Sequence, residues 1–355
     1  MVIQYKCPNC GSDMAFDSNS GMLACDSCGR KDNIETFPKE NIKSNNEDTH
    51  FHGTNNSHTF QEGEVTEYHC KNCGAVILTE PETTATTCSF CGAGVVLSDR
   101  LSGELAPVKV IPFTISKEQA QNAFKSWCKK GLLTPKGFMN ADRIKSITGI
   151  YVPFWLYDLN GSGEVNATCT KVRTYSRGDY DYTETSFFNV YRNVDLTFLK
   201  VPVDASEKMN DKLMDKLEPY NYSNLKDFNT PYLAGFIAEK YNYTDKDLFT
   251  RAKERANHYV DNYIRSTING YSTTTYNHKR IDISQMESFY TLLPVWMVCY
   301  DYKQSEHIFA MNGQTGKIVG TPPLSIGKIF TWFGGISVIS LLILRILTFI
   351  LGGGF

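Results

Sequence analysis

Cys7-Pro8-Asn9-Cys10-Gly11, Cys25-Asp26-Ser27-Cys28-Gly29, Cys70-Lys71-Asn72-Cys73-Gly74 and Cys88-Ser89-Phe90-Cys91-Gly92 are four copies of one frame, CxxCG. Fourteen residues separate Cys10 from Cys25, and fourteen separate Cys73 from Cys88. The whole arrangement returns 63 residues further on, which marks an internal repeat. Two thiolates three apart on a tight turn bind one ion at about 2.3 Å, and two such turns complete a tetrahedron. The glycine after each pair allows the positive φ that closes the turn. Met22-Leu23-Ala24 and Ala75-Val76-Ile77-Leu78 supply short strands between the turns. The spacing predicts two structural zinc ions, one on Cys7, Cys10, Cys25 and Cys28, the other on Cys70, Cys73, Cys88 and Cys91. Four sulfur ligands leave no open position for chemistry.

Outward from the cysteines the chain divides readily. Residues 38–63 are polar, Asn-rich and almost free of aliphatic side chains, the composition of a flexible linker. His50, His52 and His58 fall there and read as solvated linker histidines, since both ribbons already have four ligands. From Pro107 the pattern becomes aromatic-rich alternation broken by helices. Ser116-x-x-Gln119 is a capping box ahead of Ala120, Ala123, Phe124, Trp127 and Cys128, and Gly131 stops that helix. Thr244-x-x-Asp247 opens a second, carrying Leu248, Ala252, Ala256, Tyr259, Tyr263 and Ile264 to about Thr267. A weaker helix is expected from Ser206 to Glu218, ending at Pro219.

Strands are expected at 151–158, 163–175, 185–203, 271–285, 291–302, 307–311 and 317–319, with Arg177-Gly178-Asp179 as a turn. Val152-Pro-Phe-Trp-Leu-Tyr and Leu293-Pro-Val-Trp-Met-Val look alike. Each reads as a strand opening with Pro-x-Trp downstream of a long helix.

Ile329 to Leu351, IFTWFGGISVISLLILRILTFIL, holds 23 residues and a single charge, Arg345. As a helix it would be roughly 34 Å long, enough for a hydrocarbon core of about 30 Å. Lys328 and Trp332 stand at its start, where a snorkelling cation and an interfacial aromatic belong. Arg345 lies roughly 10 Å beyond the midpoint, placed to reach the far headgroups, the alternative being an ion pair with an acidic residue in a partner's membrane helix.

The expected architecture is α+β. Two small four-cysteine zinc ribbons occupy 1–37 and 64–100, and a helix-plus-antiparallel-sheet body, a unit used twice, occupies 107–322. One C-terminal transmembrane helix follows over 326–351. Without an apolar h-region at Met1-Val2-Ile3-Gln4, the expected topology is single-pass in the cell membrane with the N-terminal body in the cytoplasm. Eleven cysteines in a reducing compartment point to metal rather than disulfides.

Formal net charge is −2, whereas a chain built mainly to bind nucleic acid carries a basic excess. No P-loop, Gly-x-Ser-x-Gly elbow, His-Glu-x-x-His pair or Gly-x-Gly-x-x-Gly fingerprint occurs in the sequence, so no catalytic residue is assigned. Asp179, Asp181 and Glu184 read as a solvated hairpin tip, and Cys128, Cys169 and Cys299 as buried inert thiols.

The cysteine turns resemble rubredoxin-like and TFIIB-type zinc ribbons, a class that holds nucleic-acid binders and protein-binding modules alike. Val110-Ile111-Pro112-Phe113, Tyr151-Val152-Pro153-Phe154-Trp155, Tyr232-Leu233-Ala234-Gly235-Phe236, Leu293-Pro294-Val295-Trp296 and Met311-Asn312-Gly313-Gln314-Thr315-Gly316-Lys317 extend the likeness. Over most of 66–322 the chain is similar to a family of membrane-associated zinc-ribbon proteins common in Firmicutes. Some members lie beside genes for SPFH (flotillin-like) and phage-shock-type proteins. The resemblance implies a non-catalytic adaptor that docks cytoplasmic or membrane scaffold proteins of that type, with the bilayer as a further partner through 326–351. The alternative is a membrane-tethered nucleic-acid-binding regulator of transcription or replication. The extra N-terminal ribbon departs from the single ribbon usual in that family.

Overall fold

The computed structural model describes residues 2–36, 66–71, 73–74, 76–79, 83–88, 93–97, 107–129, 131–135, 138, 144–302 and 305–350. The expected linker over 38–63 with its three histidines, and the expected ligand Cys91, lie outside them. A short strand β1 (Val2–Ile3) precedes the first ribbon, whose antiparallel sheet is β2 (Met14–Asp17), β3 (Met22–Cys25) and β4 (Lys31–Asp32). The second cysteine region contributes two hairpins, β5 (Thr66–His69) with β6 (Val76–Thr79) and β7 (Thr83–Thr87) with β8 (Gly94–Leu97). The second of these hairpins joins the sheet of the body. β1 pairs with β8 on its outer edge, and Ala85 of β7 pairs with Ala238.

The body runs β9 (Lys109–Val110), α1 (Lys117–Lys129), β10 (Ile144–Arg177), β11 (Tyr180–Asp204), α2 (Asp211–Lys216), β12 (Lys226–Asp227), β13 (Ile237–Glu239), α3 (Asp245–Thr267), β14 (Thr273–Tyr302), β15 (Ser305–Asn312) and β16 (Ile318–Val319), and then α4 (Ile326–Ile350). Both capping boxes form. Ser116 and Gln119 exchange backbone–side-chain hydrogen bonds at 2.9 and 3.3 Å, as do Thr244 and Asp247. α2 is shorter than expected. It starts at Asp211, where the Asn210 side chain accepts the Leu213 amide at 3.1 Å and fixes the first turn five residues later than Ser206.

The strands are longer than the sequence implied. The segments expected at 151–158 and 163–175 are one strand, β10, of 34 residues, and those at 271–285 and 291–302 are one strand, β14, of 30. The apparent break at Asn160-Gly161-Ser162-Gly163 is no turn. A Cβ on Gly161 would stand 2.8 Å from the Ile283 methyl and 3.0 Å from Val260, and one on Gly163 would stand 2.7 Å from Ile264. These glycines admit α3 against the sheet, the other use of glycine inside a strand. α3 buries Ala252, Ala256, Val260 and Ile264 on Leu159, Val165, Ala167 and Cys169. Tyr259 and Tyr263, placed on its apolar face by the sequence reading, are exposed, because that stripe is one residue wide per turn.

Pro153 and Pro294 are not first residues of strands either; they sit inside β10 and β14. β13 pairs with β10 at Ile150 and Tyr151, and β11 takes over from Phe154. Likewise β9 pairs with β14 at Thr291 and Leu292, and β15 takes over from Val295. Each proline stands in the gap where one neighbour ends and the next begins. Its carbonyl accepts the amide of Ala205 (2.9 Å) or Gly313 (2.8 Å), and the missing N–H faces the same gap, so no ladder bond is lost.

These matching gaps reveal a wider correspondence. β9, α1, β10 and β11 match β13, α3, β14 and β15 in order and in bonding. Trp296 donates its indole N–H to the Ile115 carbonyl at 3.0 Å, and Trp155 donates to the Tyr243 carbonyl at 2.9 Å. Phe113 packs on Trp296 with ring centres 5.0 Å apart, and Tyr241 packs on Trp155 at 5.3 Å. The Thr114 and Ile115 amides converge on the Gly313 carbonyl, and those of Asn242 and Tyr243 on the Ala205 carbonyl. β10 and β14 run antiparallel side by side through both Pro-x-Trp segments, so the two strand–helix–hairpin units face each other about a local two-fold. Each short strand pairs with the other unit's hairpin, and each helix covers that hairpin.

Candidate metal centre and membrane helix

Three cysteine turns have the same bonding. The Gly11 amide donates to the Cys7 carbonyl at 2.8 Å, Gly29 to Cys25 at 2.9 Å and Gly74 to Cys70 at 2.8 Å. Each of these glycines has φ between 73° and 76° with open space where a Cβ would be, so the backbone angle alone selects glycine. The following strands then present the thiols inward. Cys7 and Cys25 are buried, and Cys10 and Cys28 lie on the rim.

Cys7 and Cys28 stand 3.5 Å apart sulfur to sulfur, as do Cys10 and Cys25, and all four sulfurs lie within 4.8 Å of one another. A disulfide needs about 2.0 Å. A tetrahedral ion with bonds of about 2.3 Å places its sulfurs about 3.8 Å apart, so the donor set and its size fit zinc. Hydrogen bonds from Ser12 lower the Cys10 thiol to about 6, and the Arg30 amide lowers Cys28. Against the Cys28 amide, burial and the neighbouring Cys10 push Cys25 up to about 11, so without metal the cluster holds both thiolate and thiol. In the second cluster Cys70, Cys73 and Cys88 converge, with Cys73 and Cys88 at 3.7 Å. Among the described residues this cluster has three thiols, and Cys91, the fourth by sequence, is not among those residues.

The first ribbon does not hang free. The Phe16 amide donates to the Ala234 carbonyl at 3.0 Å, and its ring meets Tyr232 at 5.6 Å. Tyr5 and Thr230 share a hydroxyl hydrogen bond of 2.6 Å, and Asn229 reaches the Ile34 carbonyl at 3.2 Å. Sequence reasoning missed this docking, although Tyr232-Leu233-Ala234-Gly235-Phe236 stood out as a motif. A cleft of about 790 Å³ opens between the ribbon, the start of α1 and the sheet, lined in part by Asp17, Lys31, Lys117 and Trp296. The hydrogen bonds of Lys31 and Ser20 hold Asp17 down at about 2, which makes it a fixed charge rather than a proton donor.

α4 is the one described helix long and apolar enough to cross a membrane. Ile326–Thr348 spans 23 residues at a mean hydropathy of 2.0, none of it buried in the protein. Its side chains, Ile326, Phe330, Phe333 and Leu341 among them, face outward on all sides.

Over all 355 residues the chain is 61% identical to Uncharacterized protein YdjG of Bacillus subtilis (strain 168), covering 100% of both chains. The chain belongs to the YdjG family. No protein-family model and no solved structure matches it. The relative is bacterial, and this chain itself carries two cysteine clusters able to chelate metal and one helix long and apolar enough to cross a membrane.

Proposed function

We propose that the protein is a non-catalytic, membrane-anchored adaptor that docks cytoplasmic or membrane scaffold proteins, of the SPFH or phage-shock type implied by the zinc-ribbon resemblance. α4 crosses the membrane once and the body faces the cytoplasm. The observation that carries this reading is the closed four-thiol cluster of a ribbon fixed to the body. A metal there has no position for substrate, so it shapes a surface instead. Exposed aromatic side chains on the β10–β11 hairpin, Tyr180 and Phe187 each 72% exposed, supply contact area of the kind protein interfaces use. Against the nucleic-acid alternative, all three cations of the first ribbon are already paired: Lys6 with Asp13 at 2.6 Å, Arg30 with Asp32 at 3.0 Å and Lys31 with Asp17 at 2.8 Å.

Two measurements test the proposal. Metal analysis of the purified protein is expected to give two zinc ions per chain, with Cys7→Ser losing one and Cys70→Ser the other; disulfides or a metal-free protein would sink the structural-zinc part. Purification in mild detergent, full-length and truncated after Ser325, is expected to bring down the same scaffold proteins with both forms. Recovery of each form alone, or with nucleic acid, removes the adaptor reading.

A further inference from the structure

The base of α4 is tied to a part of the chain far away in sequence. The Ser325 amide donates to the Leu133 carbonyl at 2.8 Å, and the Lys328 ammonium donates to the Thr134 carbonyl at 2.6 Å. Ser325 also accepts the Ile329 amide at 3.0 Å, so the residue that grips the body is the one that starts the helix. The gripped segment is itself firmly seated. The Thr134 amide returns to the Gly131 carbonyl at 3.2 Å, and a few residues on, Phe138 is fully buried with its ring 5.9 Å from that of Phe309 in the core. On the other side of the joint, β16 ends at Val319, paired to β15, so little slack remains before Ser325.

Around this joint the side chains are apolar and outward. Leu132 is 62% exposed and Leu324 is 64% exposed, beside Ile326 at 71% on the first turn of α4. A lone exposed leucine is ordinary. Here two leucines and an isoleucine, from two distant stretches, stand exposed by the joint at which α4 leaves the body.

We propose that residues 131–135 are a second lipid contact, carried by the body, in which Leu132 joins Leu324 and Ile326 at the boundary between headgroups and acyl chains. This rests on the reading of α4 as a membrane helix. Apolar side chains of an interfacial segment sink roughly 5–10 Å below the headgroups, and a segment bonded to the first turn of the helix is at the right depth to do so. Lys328 is spent on the joint itself. Its ammonium satisfies the Thr134 carbonyl at that level and closes the collar. The consequence is that the body does not swing on a tether. It meets the membrane by a fixed face, and the ribbons and the long hairpin are held at a set height and direction.

The test is photocrosslinking of the full-length protein in phosphatidylcholine–phosphatidylglycerol vesicles, with benzoylphenylalanine placed singly at Leu132, Leu344 or Tyr259. These side chains are exposed, so the probe does not disturb the core. Lipid adducts at Leu132 are expected to be comparable to those at Leu344 and at least about tenfold above those at Tyr259 on α3. Adducts at Leu344 with none above the Tyr259 level at Leu132 would overturn the collar and leave the membrane helix standing. No adducts at Leu344 would remove the membrane helix itself, and the collar with it.

Discussion

The two units of the body use one set of joints to carry unequal loads. In both, a proline in a strand gap, an indole N–H on a backbone carbonyl and a pair of converging amides hold a hairpin to the other unit's helix. In the first unit the hairpin runs from Ile144 to Asp204, and in the second β15 returns after eight residues. The helices follow suit in exchanged order. α3, of 23 residues, lies on the long hairpin, while α1, of 13, lies on the short one, where Phe124 meets Phe309 at 5.2 Å. A hairpin face left bare would expose its apolar side chains, so the length of each helix is set by the hairpin it covers rather than by the unit it belongs to.

If the joints are equivalent in bonding but unequal in burial, replacing the two tryptophans should separate the terms. Trp296 is buried between Phe113 and Phe236, and Trp155 is half-buried against Tyr241 and Tyr290. Trp296→Ala is expected to lower unfolding stability by about 3–5 kcal/mol and Trp155→Ala by roughly half that, read from urea unfolding in detergent. Equal losses would mean that the indole hydrogen bond, not the packing, carries each joint.

A second contrast lies at Asp204, whose counterpart is the neutral Asn312. Burial pushes the Asp204 carboxyl up to about 6, against the pull of Arg251 at 3.1 Å. Between pH 4 and 6 the folded chain therefore holds a proton that the unfolded chain has released. That stabilisation is complete below pH 4 and is lost as pH rises through 6. Relative to Asp204→Asn, the wild type is expected to lose about 2 kcal/mol between pH 4 and 7. Parallel pH profiles would show Arg251 compensating the charge in full.

The smallest effect tests local equivalence. Ser116→Ala and Thr244→Ala remove the same cap from a short helix and a long one, and each should cost about 1 kcal/mol, because capping acts on the first turn alone. A clearly larger loss at Thr244 would tie that cap to the hairpin beneath it.

Much of this was legible in the sequence. The three described CxxCG turns, both capping boxes, the Gly178 turn and the apolar helix stand where the residues place them, because each is decided within a few positions of itself. The kinship of the two Pro-x-Trp segments was legible too, but their adjacency was not. Gly161 and Gly163 misled because glycine marks a turn and a close approach with the same letter. Contacts from far along the chain, with Val260, Ile264 and Ile283 among them, decide which it is. Ser325 and Leu133 gave no signal, since a bond between two backbone groups leaves no trace in side-chain type.

By itself, then, the sequence determined the described CxxCG turns, the starts of α1 and α3 and an apolar segment of membrane length. Their cause is local: backbone angles, caps and the periodicity of burial. Only the tertiary structure decided that the strands run unbroken past their glycines and prolines, that each unit's helix covers the other's hairpin, that the first ribbon docks on Tyr232 and that α4 is gripped at Leu133 and Thr134. Those features exist as contacts between residues far apart in the chain, and their free energy appears only once folding has brought the partners together.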